Sequence, residues 1–503
     1  MIALRAPIGR RAGAGALCAL AAAGCATAST GGTGTHRSAI DAILDAPPLD
    51  QVHFGVLALD VRTGRTLYAR NANRKFVPAS NQKILVTSAA LSRLGAEYRY
   101  ETALWSTGPV RDGVLEGDLV LVGAGDPTLS DRYWESGEAA LGALADSLVA
   151  TGVRRVAGRL VVDVSAWDSA SVGPTWTVEN LRYAYGSTGG AFAIDHGQIR
   201  MIVRAGATVG EPAAVEWAPL GTDDFVLSRI TTWPADSTRR VLPAYLPESR
   251  RLVVEGHVPA HAVDTLTFAI RDPVRQAAAA LARALASRDV EFDGGDTISW
   301  VAGEVAGARC RTGAISSCPD AAPLAVLRSP PLSEIVEGIL EPSQNWMTEQ
   351  LVRTLGAERG EGGSWDAGTD VVTRFLVETV GVDSLDVVPR DGSGLSAYTL
   401  VTPRAIVRTL RFMADSPAGA AYRAAMAEPG EEDSTLERRL EGLEGRVYAK
   451  TGTISNVNSL SGYLSDRDGR EIVFSILSNG SGLPSALVRA AIDDVVHVLA
   501  GQR

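Results

Sequence analysis

The chain has 503 residues, of which 46% are hydrophobic and 21% are charged. This length exceeds that of one ordinary domain, and the composition excludes an intrinsically disordered protein and predicts two or three domains with apolar cores. The formal net charge of -10 argues against non-specific nucleic-acid binding, so we expect no nucleic-acid partner.

The N-terminus has the pattern of an export signal. Three arginines and no acid precede the short apolar run 12–24, which is too short to span a bilayer as a stable helix. We therefore predict that residues 1–28 are a signal peptide or a lipoprotein signal. An exported protein of the periplasm or cell envelope is the expected localisation.

Two cleavage sites compete in this signal. Residues 22–25 resemble a lipobox, in which Cys25 would be lipidated and would anchor the protein to a membrane, and residues 26–28 form an ordinary A-x-A site. The Gly/Thr/Ser-rich segment 27–35 then predicts a flexible tether.

The first folded segment combines a hairpin with a helix. His53–Asp60 and Thr66–Ala69 have the composition of two strands joined by a turn. Ser80–Leu94 is apolar and follows Pro78, so it predicts a helix with Ser80 at or near its start.

The middle of the chain predicts an insert that contains both helices and strands. We expect a helix at Gly137–Ala150 between strands at 115–122 and 159–164, and an alanine-rich helix at 273–287. Short strands with Gly/Pro turns are expected at 192–205, 225–232, 251–258 and 266–270. We predict an inserted α+β domain at 99–179 and 263–324, with a nested β-rich domain at 180–262.

The last part of the chain predicts helices followed by a strand meander. Helices are expected at 331–340, 345–356, 368–380, 403–414 and 485–499, and strands at 446–450, 459–464 and 471–477. These strands are suited to complete the sheet begun by residues 53–69. The prediction is one catalytic domain, 36–98 and 325–503, split by the insert.

Cys18 leaves with the signal, and Cys310 and Cys318 remain as a close pair. Cys310 and Cys318 lie in a Gly/Ser-containing segment, and a local disulfide is the plain interpretation in an oxidising compartment. Their spacing does not fit a redox C-x-x-C, and no nearby histidine indicates a zinc site. We predict no metal and no cofactor.

Lysine is rare in this chain and therefore informative. It occurs only at Lys75, Lys83 and Lys450, while the other 45 basic residues are arginines. Arginine does not give up its proton, whereas a desolvated lysine does. A retained lysine is thus a candidate for a position that needs an amine, although codon bias alone would also leave a few lysines.

Ser80 and Lys83 form the first candidate pair. Residues three apart share a helix face, so the amine can reach the hydroxyl and act as its base. The helix N-terminus also offers unpaired N–H groups to a developing oxyanion. The alternative for this pair alone is a capping serine and a solvated lysine.

Two further motifs offer polar groups to a cleft. Ser343 and Asn345 begin a predicted helix, where the alternative is simple N-capping. Lys450–Thr453 ends a predicted strand, and its cation, hydroxyl and bare Gly452 backbone suit an extended peptide with a terminal carboxylate. The alternative there is a turn with a surface lysine.

Taken in order, the three motifs resemble the signatures of penicillin-binding proteins and serine β-lactamases. They are Ser80-x-x-Lys83, Ser343-x-Asn345 and Lys450-Thr451-Gly452. The long insert, the stretches Gly125–Leu129 and Asp391–Ser396, and the run from Ala449 to Tyr463 resemble more closely the D-alanyl-D-alanine carboxypeptidase/endopeptidase family of the penicillin-binding-protein-4 type, peptidase family S13. The resemblance covers about residues 40–500.

The resemblance implies a fold and a chemistry. The fold is an α/β (α+β) penicillin-binding/β-lactamase-like transpeptidase fold, an antiparallel sheet flanked by helices and split by the insert. The activity is hydrolysis of peptidoglycan peptides at D-Ala-D-Ala-like bonds through an acyl-enzyme, with β-lactam antibiotics as covalent inhibitors. The family position for an acid that reads a substrate side chain falls near Glu179 or Asn180, where this chain departs from the family pattern.

The resemblance also assigns roles. Ser80 is the implied nucleophile and Lys83 its base, Ser343 relays a proton to the leaving amine, and Asn345 orients Lys83 and the substrate. The implied carboxylate-binding strand is Lys450, Thr451, Gly452 and Thr453, the oxyanion hole is formed by the N–H groups of Ser80 and Thr453, and the supporting residues are Asp391 and Ser393.

Two alternatives to a carboxypeptidase or DD-endopeptidase are kept. One is a β-lactamase or esterase on the same scaffold, which would turn over penicillin rapidly. The other is a catalytically degenerate lipoprotein that binds peptidoglycan without cleaving it. The sequence indicates no preference between carboxypeptidase and endopeptidase activity and no oligomeric state.

Overall fold

The computed structural model describes residues 31–218, 226–246, 251–299 and 322–502. The predicted signal peptide, the candidate lipidation site Cys25 and the candidate disulfide between Cys310 and Cys318 lie outside the described residues.

The described chain contains both strands and helices. The helices are α1 (Gly31–Leu44), α2 (Gln82–Leu94), α3 (Gly137–Ala150), α4 (Pro273–Ala286), α5 (Leu332–Leu340), α6 (Asn345–Arg359), α7 (Trp365–Arg374), α8 (Pro403–Ala414), α9 (Gly419–Ala424) and α10 (Ser485–Leu499). The strands are β1 (His53–Asp60), β2 (Thr66–Arg70), β3 (Glu101–Ser106), β4 (Val110–Arg111), β5 (Val114–Leu115), β6 (Leu119–Val122), β7 (Arg155–Val156), β8 (Leu160–Asp163), β9 (Gln198–Arg204), β10 (Ala214–Ala218), β11 (Val226–Trp233), β12 (Arg240–Leu246), β13 (Arg251–Pro259), β14 (Val263–Ala269), β15 (Glu291–Phe292), β16 (Asp296–Ser299), β17 (Ala325–Arg328), β18 (Val387–Val388), β19 (Leu400–Val401), β20 (Val447–Ile454), β21 (Val457–Ser465) and β22 (Glu471–Asn479).

One five-stranded sheet joins the two ends of the chain. Its order is β2-β1-β22-β21-β20, and every pairing in it is antiparallel. Successive side chains of a strand point to opposite faces, and both faces are buried here. Val56 and Phe474 belong to the core that includes α1 and α10, while Leu57 and Val473 belong to the core that includes α2 and α5–α8.

The insert contributes a second, mixed sheet. Its order is β16-β8-β6-β3-β17, and a short four-stranded sheet has the order β15-β7-β5-β4. β6 and β8 are parallel, and the chain between them forms α3, as parallel pairs require a crossover. α3 and α4 share one apolar core with residues of this sheet.

The nested module consists of two small sheets around their own core. Their orders are β10-β9-β14 and β11-β13-β12. Alternating residues such as Ile199, Met201, Ile230 and Val254 are buried together, because each sheet has one apolar face.

Strand pairing differs from two of the predicted domain limits. β14 pairs with β9, so the nested sheets extend to Ala269 rather than ending at residue 262. β17 pairs with β3, so Ala325–Arg328 belongs to the sheet of the insert and not to the catalytic domain. β14 and β17 both lie where the chain passes from one domain to the next. Each strand belongs to the domain of its partner strand, and that partner is distant in sequence.

Three local predictions were wrong in detail. The segment predicted as a tether reaches residue 35, but α1 already begins at Gly31, and its later residues Ile40 and Leu44 are fully buried. The strand predicted at 115–122 is interrupted and forms β5 and β6. The helix predicted at 368–380 is α7, which begins at Trp365, followed by a π-helical turn. Within the described ranges, no helix combines the length and the apolar character needed to cross a bilayer.

Candidate active site

Ser80 lies in a tight turn between the main sheet and α2. Residues Ala79–Asn81 form a 3-10 turn directly before α2, and Ala79 has a φ of 48°, which is unusual for a residue with a side chain. The Asn81 side chain donates to the Lys450 carbonyl at 2.8 Å, and the Ser459 hydroxyl donates to the Pro78 carbonyl at 2.8 Å. The sheet therefore fixes the backbone that carries Ser80.

Lys83 stands at the centre of a short hydrogen-bond network. Its amine donates to Ser80 Oγ at 2.8 Å, to Asn345 Oδ1 at 2.7 Å and to the Ser393 carbonyl at 3.1 Å. Three acceptors match the three donors of an ammonium group. Two of the three motifs predicted from the sequence thus meet at this amine, together with the Asp391–Ser396 loop.

The Lys83 amine is enclosed by the protein. Its side chain has no exposed surface, whereas Lys75 is exposed. Burial lowers the pKa of Lys83 to about 7, and the charges of Glu349 and Asp391 partly oppose that change. A lysine whose pKa lies near neutrality can accept and return a proton at physiological pH.

Asn345 and Ser343 lie at the start of α6, but neither caps the helix. The capping group is Gln344, whose side-chain oxygen accepts from the Trp346 N–H at 2.8 Å. Asn345 instead bridges the two parts of the chain, because its Nδ2 donates to the Tyr185 carbonyl of the insert at 2.9 Å. Ser343 has a φ of 64° and lines the same cavity as Ser80. The simple N-capping alternative for Ser343 and Asn345 is therefore wrong.

Lys450 and Gly452 lie on β20, the edge strand of the main sheet. Lys450 is fully buried, and its amine donates to the Thr451 carbonyl at 3.0 Å. Burial, followed by the nearby charge of Lys83, lowers the pKa of Lys450. A side chain at Gly452 would place its Cβ 2.9 Å from the Ser80 nitrogen, so this close approach of strand and turn requires glycine. The alternative of a turn with a surface lysine is therefore wrong.

The Asp391–Ser396 loop is held from several sides. The Asp391 carboxylate accepts from the N–H groups of Gly394 and Ser396, from the Thr399 hydroxyl, and from the Trp176 indole at 3.0 Å. This carboxylate orders the loop that presents the Ser393 carbonyl to Lys83. The Ser393 side chain is also buried, and its oxygen accepts from a loop N–H at 3.4 Å.

The insert closes one side of a cavity over Ser80. The cavity has a volume of about 390 Å³. It is lined by residues from both parts of the chain: Ser80, Asn180, Tyr185, Ser343, Asn345, Gly394, Leu395, Thr453, Ile454 and Ser455. Of the two residues at the departing family position, Asn180 lines the cavity, and Glu179 is exposed outside its lining.

Sequence reasoning missed three residues of this site. Trp176 and Tyr185 lie 215 and 160 residues from their partners Asp391 and Asn345, so no local pattern could reveal them. Glu349 lies four residues after Asn345 on α6, and that helical spacing was a usable signal.

The geometry defines the chemistry that this site can perform. A hydroxyl, a buried amine that can lose its proton, and a cavity large enough for a peptide end are the parts of nucleophilic acyl transfer. The described residues contain no group of three or more His, Cys, Asp or Glu side chains arranged to hold a metal ion. Of the predicted site residues, Ser80, Ser343, Asn345 and Thr453 line the cavity, whereas Lys83 and Lys450 are fully buried and lie outside its lining.

Comparison of the sequence with known proteins identifies a family of peptidases and related carboxypeptidases. Residues 36–502 match the model of the D-Ala-D-Ala carboxypeptidase 3 (S13) family. The chain is 34% identical over 475 residues to a D-alanyl-D-alanine carboxypeptidase of Actinomadura sp. (strain R39), which covers 92% of this chain and 84% of the relative.

Solved structures show the same fold. Penicillin-binding protein 4 (dacB) from Haemophilus influenzae superposes with a TM-score of 0.77 at 23% identity, covering 92% of this chain and 98% of that one. The same protein in complex with a β-lactam superposes with a TM-score of 0.73 at 22% identity and the same coverage. The predicted helix-flanked antiparallel sheet is confirmed, and the protein is a hydrolase. The chain belongs to the D-Ala-D-Ala carboxypeptidase (S13) family.

Proposed function

We propose that this carboxypeptidase cleaves peptidoglycan peptides through an acyl-enzyme on Ser80. The observation that carries the proposal is the 2.8 Å hydrogen bond between the buried Lys83 amine and Ser80 Oγ. In the neutral form Lys83 accepts the Ser80 proton as the oxygen attacks the carbonyl of the penultimate D-Ala residue. The C–N bond to the terminal D-Ala breaks, this residue leaves with its amine protonated, and water then hydrolyses the ester, releasing the shortened peptide and restoring Ser80.

Asn345 and Ser343 assist proton transfer at different steps, Asn345 at the Lys83 amine and Ser343 at the leaving amine. Asn345 Oδ1 holds the Lys83 amine at 2.7 Å and so fixes its direction toward Ser80. Ser343 lines the cavity beside them and relays the proton to the leaving amine. The developing oxyanion is bound by the N–H groups of Ser80 and Thr453, where donors aimed at new charge lower the barrier.

Lys450 and Thr451 bind the terminal carboxylate of the substrate. Burial favours the neutral form of Lys450 and lowers the pKa of its amine, and the nearby charge of Lys83 lowers it further. A carboxylate that enters the site supplies the missing opposite charge and restores the ammonium form. Gly452 lets β20 approach the turn that carries Ser80, and the outer edge of β20 can pair with an extended substrate.

The same chemistry accounts for the proposed partners. A β-lactam presents a strained amide and a carboxylate, so it acylates Ser80 in place of the peptide. The β-lactam complex of the Haemophilus influenzae protein supports this expectation. Because peptidoglycan lies outside the cytoplasmic membrane, we also propose that the protein is exported to the periplasm or cell envelope, with or without a lipid anchor on Cys25.

Acylation by penicillin is expected to depend on pH through Lys83. The base must be neutral, and burial lowers the pKa of Lys83 to about 7. The second-order acylation rate should therefore rise with pH, reach half its maximum near pH 7, and level off above it. Stopped-flow measurement with a chromogenic β-lactam from pH 5.5 to 9 provides the test. A rate that still rises toward the pKa of an ordinary lysine would rule out Lys83 as the base.

The substrate is tested with purified muropeptides. We expect release of D-Ala from linear pentapeptides, cleavage of cross-linked dimers, or both, and loss of each activity after pre-incubation with penicillin. Mass spectrometry of the products separates carboxypeptidase from endopeptidase action. Binding of muropeptides without cleavage would favour the degenerate lipoprotein, and rapid turnover of penicillin without peptide cleavage would favour the β-lactamase.

A further inference from the structure

A buried carboxylate lies next to the proposed site, and the mechanism above does not use it. Glu349 is on α6, one turn after Asn345, and its side chain has no exposed surface. A buried carboxylate is costly unless it is hydrogen-bonded or paired with a charge. Its contacts therefore show what stabilises it there.

Three N–H groups point at the Glu349 carboxylate. Oε1 accepts from the Ser393 nitrogen at 2.7 Å, and Oε2 accepts from the Gly392 nitrogen at 2.9 Å and from the Trp365 indole at 2.7 Å. Both carboxylate oxygens act as acceptors in these contacts, and N–H donors stabilise a negative charge. The arrangement thus matches the ionised form, which only accepts hydrogen bonds.

The same contacts connect Glu349 to the catalytic lysine. Ser393 donates its N–H to Glu349 and offers its carbonyl to the Lys83 amine at 3.1 Å. Fixing the N–H of a residue at 2.7 Å restricts where its carbonyl can lie. Glu349 thereby sets the position of one of the three acceptors around the Lys83 amine.

Charged groups of several elements surround Glu349. Lys83 on α2 and Asp391 in the loop interact with it electrostatically, as does Arg353 on the same helix. Arg353 is itself paired with Asp168 of the insert at 2.7 Å. Burial and the Asp391 charge raise the pKa of Glu349 to about 7, and the three N–H donors oppose that rise.

We propose that Glu349 is a positioning residue for the reaction, which fixes the Ser393 carbonyl against the Lys83 amine and supplies a negative charge close to that amine. The inference rests on the proposed function, because it takes Lys83 as the base. The Glu349 charge is then a second factor, besides burial, that sets the pH at which the Lys83 amine becomes neutral. Burial favours the neutral amine, and the Glu349 charge moderates that preference.

The test is Glu349→Gln, which keeps the shape and removes the charge. The acylation rate at pH 8 should fall by about tenfold or more, because the amide has to turn an N–H toward one of three donors. The half-maximal point of the pH profile should also move to lower pH by about one unit, because an opposite charge no longer favours the Lys83 ammonium. A merely structural role would lower the rate without moving that point.

Thr399→Val is the matched control. Thr399 donates to Asp391 at 3.0 Å, so its loss loosens the same loop and removes no charge. We expect a lower rate with the half-maximal pH unchanged. Trp365→Phe is a second test variant that does not depend on Glu349→Gln folding. It removes one N–H donor from the carboxylate, and the half-maximal pH should fall by less than in Glu349→Gln.

The outcomes separate this inference from the proposed function. A half-maximal pH that stays at the wild-type value in both Glu349→Gln and Trp365→Phe overturns the role of Glu349 alone. A shift to higher pH in either variant also overturns it, since the sign would be opposite to that of a lost negative charge. A wild-type profile without a rise near pH 7 overturns Lys83 as the base, the part of the proposed function on which this inference rests.

Discussion

Ser80→Ala is expected to abolish covalent labelling by penicillin. The variant lacks the only hydroxyl that accepts from the Lys83 amine in the described structure. Other hydroxyls line the cavity, on Ser343, Thr453 and Ser455, but none of them has this contact with the proposed base. Loss of a nucleophile in a comparable serine enzyme lowers the rate by about a millionfold, so acylation should fall below detection.

The measurement is intact-mass spectrometry after incubation with excess penicillin. The wild type should gain the mass of one penicillin, and Ser80→Ala should gain none. Ser92→Ala is a suitable control, because Ser92 lies on the same helix and is exposed. It should be labelled like the wild type. Equal labelling of Ser80→Ala would place the nucleophile elsewhere, with Ser343 as the next residue to replace.

The Ser80→Ala variant should remain folded. The Lys83 amine keeps its contacts with Asn345 and the Ser393 carbonyl, and the turn keeps the hydrogen bonds that tie it to the sheet. A thermal unfolding midpoint within a few degrees of the wild type is therefore expected. Such a result would separate loss of the nucleophile from loss of structure.

Elements with a strong local signal were predicted closely. The helix predicted at 137–150 is α3, and the last helix has the bounds 485–499 in both sequence and structure. α3 has an N-capping serine, whose oxygen accepts from the Ala139 N–H. The apolar side chains of one face of α3 are buried in the core of the insert. Where periodicity and capping agree, local sequence determines the limits of an element.

The assignment of strands to sheets was not predictable to the same degree. β14 and β17 were placed in the wrong unit, because a strand of seven or four residues carries no signal for its partner. Pairing is decided by packing between segments that are distant in sequence. The long segment between the first two motifs was enough to predict the order of the domains. The residues at which each domain begins and ends depended on the strand pairings.

The site shows the same division. The motif residues could be recognised because reactive or polar side chains recur at characteristic spacings. The rarity of lysine also drew attention to Lys83 and Lys450, which are the two buried lysines. The insert residues Trp176 and Tyr185 contact the site through an indole N–H and a backbone carbonyl. A backbone carbonyl is present in every residue, so the sequence held no sign of that contact.

Lys83→Arg should also abolish acylation, for a different reason. Arginine keeps the positive charge and can donate hydrogen bonds, but it does not lose a proton at any pH at which the protein is folded. The acylation rate should therefore fall by at least about a thousandfold, a loss typical of removing a general base. The dependence on pH near 7 should disappear, because the group whose pKa is lowered to about 7 is gone.

Lys75→Arg is the matched control, since Lys75 is exposed and lies outside the lining of the cavity over Ser80. Its rate and pH profile should equal those of the wild type. Lys83→Gln covers the case in which the larger guanidinium does not fit the buried position, because it is shorter, neutral and also unable to act as a base. Acylation within tenfold of the wild type in either Lys83 variant, with the rise near pH 7 retained, would show that another group takes the Ser80 proton. Loss of both rate and pH dependence in both Lys83 variants, with the Lys75 control intact, would leave the buried amine as the base, because the inability to take up the Ser80 proton is the property that arginine and glutamine share.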